Sequence, residues 1–313
     1  MDEKLEKVSC DLQGFEFYKI NEMDIPENSY IISNQNFRDV LYNPHLAGIR
    51  LQKRMEKASV AAAKAISKLA LEGKGIKKAN LCECVFLSGG LFYDLNFGFS
   101  QQFGVSLPQC FMGIKRQKIE GTAGDFEAVA GYANFEALPD EATILIGDTT
   151  ASGATLRKGI LEISKIAENE GKKIERIVMF TLAAPLRAMR EFSKACEEIS
   201  EVHDGLEYYF LGAQQVFHLM EDGTDLRFRG PDAIIADLEI EYSRGIWGEW
   251  LCENMKCAIF DWGTRCKNPL AHINEFGEFA GKKLGECDEK GCAVLERMLD
   301  EAGQIREEYE EII

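Results

Sequence analysis

The chain has 313 residues, with 52 acidic against 36 basic side chains, a formal charge of −16, ten cysteines and 46 % hydrophobic residues. That length holds one large domain or two ordinary ones, and 28 % charged with 10 % aromatic residues excludes wholesale disorder, a fibrous repeat and a small disulfide scaffold. The negative balance disfavours sequence-independent binding to nucleic acid or to an anionic membrane surface, because no compensating basic patch stands out.

Met1 to Lys7 alternate charges and lack the apolar stretch of a secretory signal. No run of about 18 apolar residues occurs, so no membrane-spanning helix is expected. The expectation is a cytoplasmic protein whose cysteines are thiols or metal ligands rather than disulfides. Residues 1 to 43 are mixed and weakly patterned. From Pro44 a helix is predicted: Leu51, Met55, Ala58, Ala62, Ile66 and Leu69 share one face at spacings of three and four, and Gly73 or Gly75 ends it. Apolar runs at Leu81 to Leu87, Pro108 to Ile114, Ala142 to Ile146 and Ile174 to Thr181 predict buried strands. Each is followed by a turn and a helical pattern, which predicts an α/β fold with a parallel sheet flanked by helices. Between Lys115 and Pro139 the pattern fails; the polar stretch Ile119 to Asp125 reads as a mobile functional loop or a β-hairpin arm. All three tryptophans (Trp247, Trp250, Trp262) and five of the ten cysteines lie beyond about Ile246, ahead of an acidic helix. The expected domains are therefore residues 1–245 and a small Cys/Trp-rich C-terminal module, 246–313.

The most informative segment is Ala142 to Leu156. An apolar strand delivers the chain to Asp148, then to Thr149, Thr150, Ala151, Ser152, Gly153, Ala154 and Thr155, and a helix follows with Leu156, Ile160, Ile163 and Ala167 at core spacing. Small residues let backbone N–H groups approach an anion, the helix N-terminus adds partial positive charge, and the hydroxyls supply further donors. A plain strand-to-helix turn with Thr150 or Ser152 as N-cap is the alternative. Neither a GxGxxG fingerprint nor a GxxxxGK[ST] loop is present.

Ile144 to Thr155 resembles the phosphoribosyl-diphosphate signature of type I phosphoribosyltransferases. The resemblance implies that Ala151 to Thr155 cradle the 5-phosphate of 5-phosphoribosyl 1-diphosphate and that Asp148 holds ribose hydroxyls, while Gly147 stands where the family carries a first acid. It further implies that Ser88, Gly89 and Gly90 form the pyrophosphate loop and that Lys115, Arg116 and Lys118 open the family's catalytic loop, their charge stabilising departing pyrophosphate. An ordinary Gly-Gly turn and a solvated basic turn are the respective alternatives. Phe180 to Pro185 resembles the strand end of the uracil-using branch, whose Pro-Gly-x-Gly-Asp base-binding pattern is absent from residues 220 to 232. The expected activity is transfer of ribose phosphate to a nitrogenous base with Mg and release of pyrophosphate, in a homodimer. A non-catalytic regulator that senses the same diphosphate is the alternative, favoured by Gly147.

Cys252, Cys257, Cys266, Cys287 and Cys292 include two Cys-x4-Cys pairs, at the edge of zinc-ligand spacing; a zinc or iron–sulfur site is one reading and buried or solvent thiols the other. Cys82 and Cys84 alternate on one strand face and read as core, and His45, His203 and His218 read as structural.

Overall fold

The computed structural model describes residues 4–87, 89–118, 126–223, 225–257 and 262–310. Three strands open the chain, β1 (Leu5–Val8), β2 (Phe15–Ile20) and β3 (Asn28–Asn34), followed by α1 (Gln35–Leu41) and α2 (Gly48–Ile66). There follow β4 (Leu81–Leu87), a single helical turn (Gly89–Phe92), α3 (Leu95–Phe103), β5 (Gln109–Lys118), β6 (Phe126–Asn134), β7 (Glu141–Gly147), α4 (Ala154–Asn169), β8 (Lys173–Thr181), α5 (Leu186–Ser200) and β9 (Glu207–Ala213). Among the described residues, nine strands form one sheet in the order β1-β2-β3-β9-β8-β7-β4-β5-β6. The six strands from β3 to β5 are parallel, and antiparallel strands flank them on both sides.

The four apolar runs became central strands because both of their faces are covered. Ile144 and Ile146 point to the layer of α4 and α5, and Leu145 between them points to the layer of α2. Helix α2 buries Leu51, Met55, Ala58, Ala62 and Ile66 and continues through a wider turn, Ser67–Leu71, before Gly73 takes a left-handed conformation at φ 72°. The weakly patterned first 43 residues hold the antiparallel edge: β1, Leu-Glu-Lys-Val, buries only its Leu5 and so carries little apolar signal.

Beyond β9 come two small strand pairs and then α6 (Asp237–Trp247), α7 (Glu249–Asn254), α8 (Trp262–Lys267), α9 (Pro269–Lys283) and α10 (Glu289–Glu310). Their buried residues, Trp247, Leu251, Phe276 and Met298 among them, belong to one continuous cluster with α2. The anticipated boundary at 245/246 falls within α6, and the Cys/Trp-rich tail packs as a helical layer of this shared core. Side chains from the tail grip the turn that starts α2. Buried Arg265 donates to the carbonyls of Asn43 and Leu46 at 2.9 Å each, and His272 Nε2 donates to that of Pro44 at 2.7 Å. His45 meets Glu301 at 2.7 Å.

Among the described residues the tail cysteines are not gathered into the metal centre considered from sequence. Cys287 and Cys292 are joined as a disulfide with their Cα atoms 5.5 Å apart, which removes both as thiolate ligands and corrects the expectation of free thiols at this pair. Cys252 and Cys257 are buried in the core, and burial raises the Cys252 thiol pKa and pushes that of Cys266 up to about 11. Among the described residues no group of three His, Cys, Asp or Glu side chains is placed to hold a metal ion. Cys82 and Cys84 lie in the core. His203 meets Ser164 at 3.0 Å and His218 pairs with Asp232. No helix of the described residues is long and apolar enough to cross a membrane.

Candidate active site

The chain runs from β4 outward to β5 and from β7 outward in the opposite direction to β8 and β9, although β4 and β7 are neighbours. A crevice at the carboxyl ends of strands at such a reversal is the usual ligand position in open α/β sheets. The two segments singled out from sequence meet there. A Cβ on Gly89 would lie 2.7 Å from Asp148 Oδ1, and one on Gly90 would lie 3.0 Å from the carbonyl oxygen of Gly147. The Gly-Gly pair is therefore a close-approach device between two loops. Ser88 lies outside the described residues.

Helix α4 starts at Ala154 with Gly153 as its N-cap, at φ 81°, and no side chain caps it. The alternative in which Thr150 or Ser152 caps the helix is overturned: Thr150 is buried and donates its own N–H to the Ala183 carbonyl at 3.4 Å. The N–H groups of Ala154, Thr155 and Leu156 have no intrahelical acceptor and no acid stands in the first turn, which suits an anion. A Cβ on Gly153 would meet Glu191 Cβ at 2.8 Å and Ala188 Cα at 3.1 Å, so the loop owes its path to α5 packing close behind it. Asp148, half-buried, accepts from the Thr149 N–H at 2.8 Å, and its own N–H donates to the Phe180 carbonyl at 3.2 Å.

Gly147 has a structural cause that the sequence did not disclose. A Cβ there would lie 2.7 Å from Tyr93 Cβ and 3.0 Å from its Cγ. Tyr93 is buried, its hydroxyl lies 2.6 Å from Thr149 Oγ1 and accepts from the Leu182 N–H at 3.0 Å, and burial raises its pKa. An aromatic ring thus occupies the space where a longer side chain at 147 would begin. No sequence signal marked Tyr93, since its role depends on a contact across 54 residues of chain.

The arm is a hairpin, one of the two alternatives for this region. The last β4–β5 pair is Leu87 with Gly113; a register shift follows, and Ile114 to Lys118 pair only with β6, out to Lys118 with Phe126. At about 3.3 Å per residue, five residues carry Lys115, Arg116 and Lys118 up to roughly 16 Å past the carboxyl edge of β4. The Lys115 side chain is exposed. Residues 119–125 lie outside the described residues.

No protein-family model and no curated protein matches the chain. Among solved structures it is similar to an adenine phosphoribosyl transferase from Trypanosoma brucei in complex with AMP, pyrophosphate and ribose-5-phosphate, at 14 % identity and TM-score 0.32 over 69 % of this chain and 95 % of that one. It is also similar to an asparagine mutant from a study of an invariant aspartic acid in HPRTs, at 15 % identity and TM-score 0.26 over 62 % and 92 % of the two chains. Neither description mentions uracil.

Proposed function

We propose that this chain is a phosphoribosyltransferase. The observation that carries the reading is the convergence of the Gly89-Gly90 turn, Asp148 and the uncapped start of α4 at the reversal of strand order. In this reading the 5-phosphate sits on the N–H groups at Ala154 and Thr155 with the hydroxyls of Ser152 and Thr155. Thr149, Thr150, Ala151 and Gly153 shape the loop, and Asp148 holds ribose hydroxyls. Gly89 and Gly90 leave room for the pyrophosphate. The acceptor nitrogen bonds to C1 of the ribose while the C1–O bond to diphosphate breaks, the electron pair leaves with pyrophosphate and the acceptor's N–H proton passes to solvent. Lys115, Arg116 and Lys118 on the arm balance the charge of the leaving group.

Magnesium suits this donor set. Mg²⁺ usually keeps several waters and binds through one or two carboxylates plus substrate phosphates, and Asp148 is such a carboxylate beside the crevice. When bound, the ion would neutralise diphosphate charge. The uracil-using branch is not carried forward, because its base-binding pattern is missing.

A second reading, a regulator that binds the diphosphate without turnover, is favoured by Tyr93 filling the space at Gly147. The test is incubation with 5-phosphoribosyl 1-diphosphate, Mg and a panel of bases, with calorimetry for binding and a pyrophosphate assay for turnover. Binding with pyrophosphate release is expected, and Asp148→Asn should weaken diphosphate binding at least tenfold. Binding without release selects the regulator, and no binding overturns both readings.

A further inference from the structure

Of the four histidines, His45, His203 and His272 are buried, while the His218 side chain is 21 % exposed. Its Nδ1 is hydrogen-bonded to Asp232 Oδ1. An ionised carboxylate accepts and does not donate, so Nδ1 carries the proton and Nε2 keeps its lone pair. Among the described residues nothing hydrogen-bonds to Nε2. We propose that His218, held by Asp232, is the base that takes the acceptor's proton on its way to solvent; this rests on the phosphoribosyltransferase reading above.

The ring has a seat built for it. A Cβ on Gly230 would lie 2.1 Å from His218 Cγ and 2.3 Å from Cδ2, so the ring rests on a position that tolerates glycine alone. Gly230 and Asp232 thus fix the same imidazole from one short loop. Arg227, in register with His218 across the strand pair, is committed to Asp225 at 2.7 Å and to the Asn254 carbonyl at 2.9 Å. Asp232 is therefore the ion that pairs with the ring.

The pair also stands at the right edge of the sheet. The Phe217 N–H donates to the Ala184 carbonyl at 2.9 Å, and the Thr150 N–H donates to that of Ala183 at 3.4 Å. The segment leading into His218 and the phosphate loop therefore flank the same turn after β8, at the carboxyl ends of the strands. At about 4.8 Å between neighbouring chains, two such spacings separate them by about 10 Å, a gap that a sugar phosphate with its acceptor spans. The phosphate loop itself offers no second base: from Gly147 to Thr155 the one titratable side chain is Asp148, which the reading gives to ribose.

In the step, the acceptor nitrogen bonds to C1 as the C1–O bond breaks and its electron pair leaves with pyrophosphate. The N–H proton passes to His218 Nε2, the imidazolium is balanced by Asp232, and solvent then takes the proton.

The test assays pyrophosphate release from the diphosphate with Mg and the panel of bases, in the full chain and in two variants. His218→Asn keeps an N–H donor for Asp232 and removes Nε2. It should lower acceptor-dependent release at least a hundredfold and leave diphosphate affinity within twofold by calorimetry, and added imidazole should restore release at least tenfold. Asp232→Asn should lower release at least tenfold with no rescue by imidazole, since its ring is present and only its orientation and counter-charge are lost. A denaturant melt of each variant separates lost folding from lost chemistry. Release within threefold of wild type in His218→Asn, or a folded His218→Asn that imidazole does not rescue, overturns the assignment and leaves the transferase reading standing. Diphosphate binding without release in the wild type overturns both.

Discussion

Gly147 and Tyr93 form a matched pair, and each makes a prediction. Placing an acid at this position by Gly147→Asp sets Cβ against the buried Tyr93 ring, with atoms at 2.7 to 3.2 Å. Overpacking of this kind costs about 1–3 kcal/mol before any penalty for burying a carboxylate. The variant should therefore unfold at lower denaturant concentration and show no gain in pyrophosphate release; a stable, faster variant would show that the ring does not hold this space. Tyr93→Phe keeps the ring and removes the hydroxyl. The buried Leu182 N–H then loses its acceptor and Thr149 its partner, at about 1–3 kcal/mol. Chemical denaturation should show that loss, and calorimetry should show weaker diphosphate binding, because Thr149 adjoins Asp148.

In the proposed reading phosphate binding depends on the loop before α4, and its left-handed Gly153 is the test of its shape. Gly153→Ala forces a Cβ against Glu191 and Ala188 and in addition costs about 1–2 kcal/mol for a left-handed non-glycine. Diphosphate affinity should fall with stability, read by calorimetry beside a denaturant melt; retained affinity would mean that the phosphate is held elsewhere. The sequence disclosed this element well because its signal is local: an apolar strand, a small-residue turn and a 3.6-residue apolar period are adjacent in the chain. The central strands were legible for the same reason, being apolar on both faces. The edge strands β1 to β3 were not, since half-exposed strands carry mixed residues. Residues 115 to 139 left hairpin and loop undecided because pairing between β5 and β6 is a long-range choice. Tyr93 over Gly147 and the Cys287–Cys292 bond both depend on contacts that spacing alone does not encode.

Across the whole molecule, the C-terminal helices are fastened to the turn before α2 by groups that respond to pH. His45 is fully buried, and burial lowers its pKa to about 4 from 6.5 despite Glu301 at 2.7 Å, with Arg265 and Arg297 adding in the same direction. A protonated ring would also leave Nδ1–H buried with no acceptor. In the unfolded chain the same histidine takes its proton near 6.5. Between those values the unfolded state binds more protons than the folded one, so stability falls as pH drops from about 6.5 to about 4, by at most about 3 kcal/mol for this residue. Glu301 acts in the same sense: burial raises its pKa, but the bond to His45 and the charge of Arg297 outweigh that and leave it lowered, so its contribution is also lost on acidification. Protonating the surface of a chain with charge −16 relieves self-repulsion and opposes both effects. The informative quantity is therefore the difference between wild type and His45→Asn in denaturant midpoint from pH 7.5 to 4.5. The wild type should lose more stability than the variant across that range; parallel slopes would mean that His45 takes its proton in the folded protein as readily as in the unfolded chain.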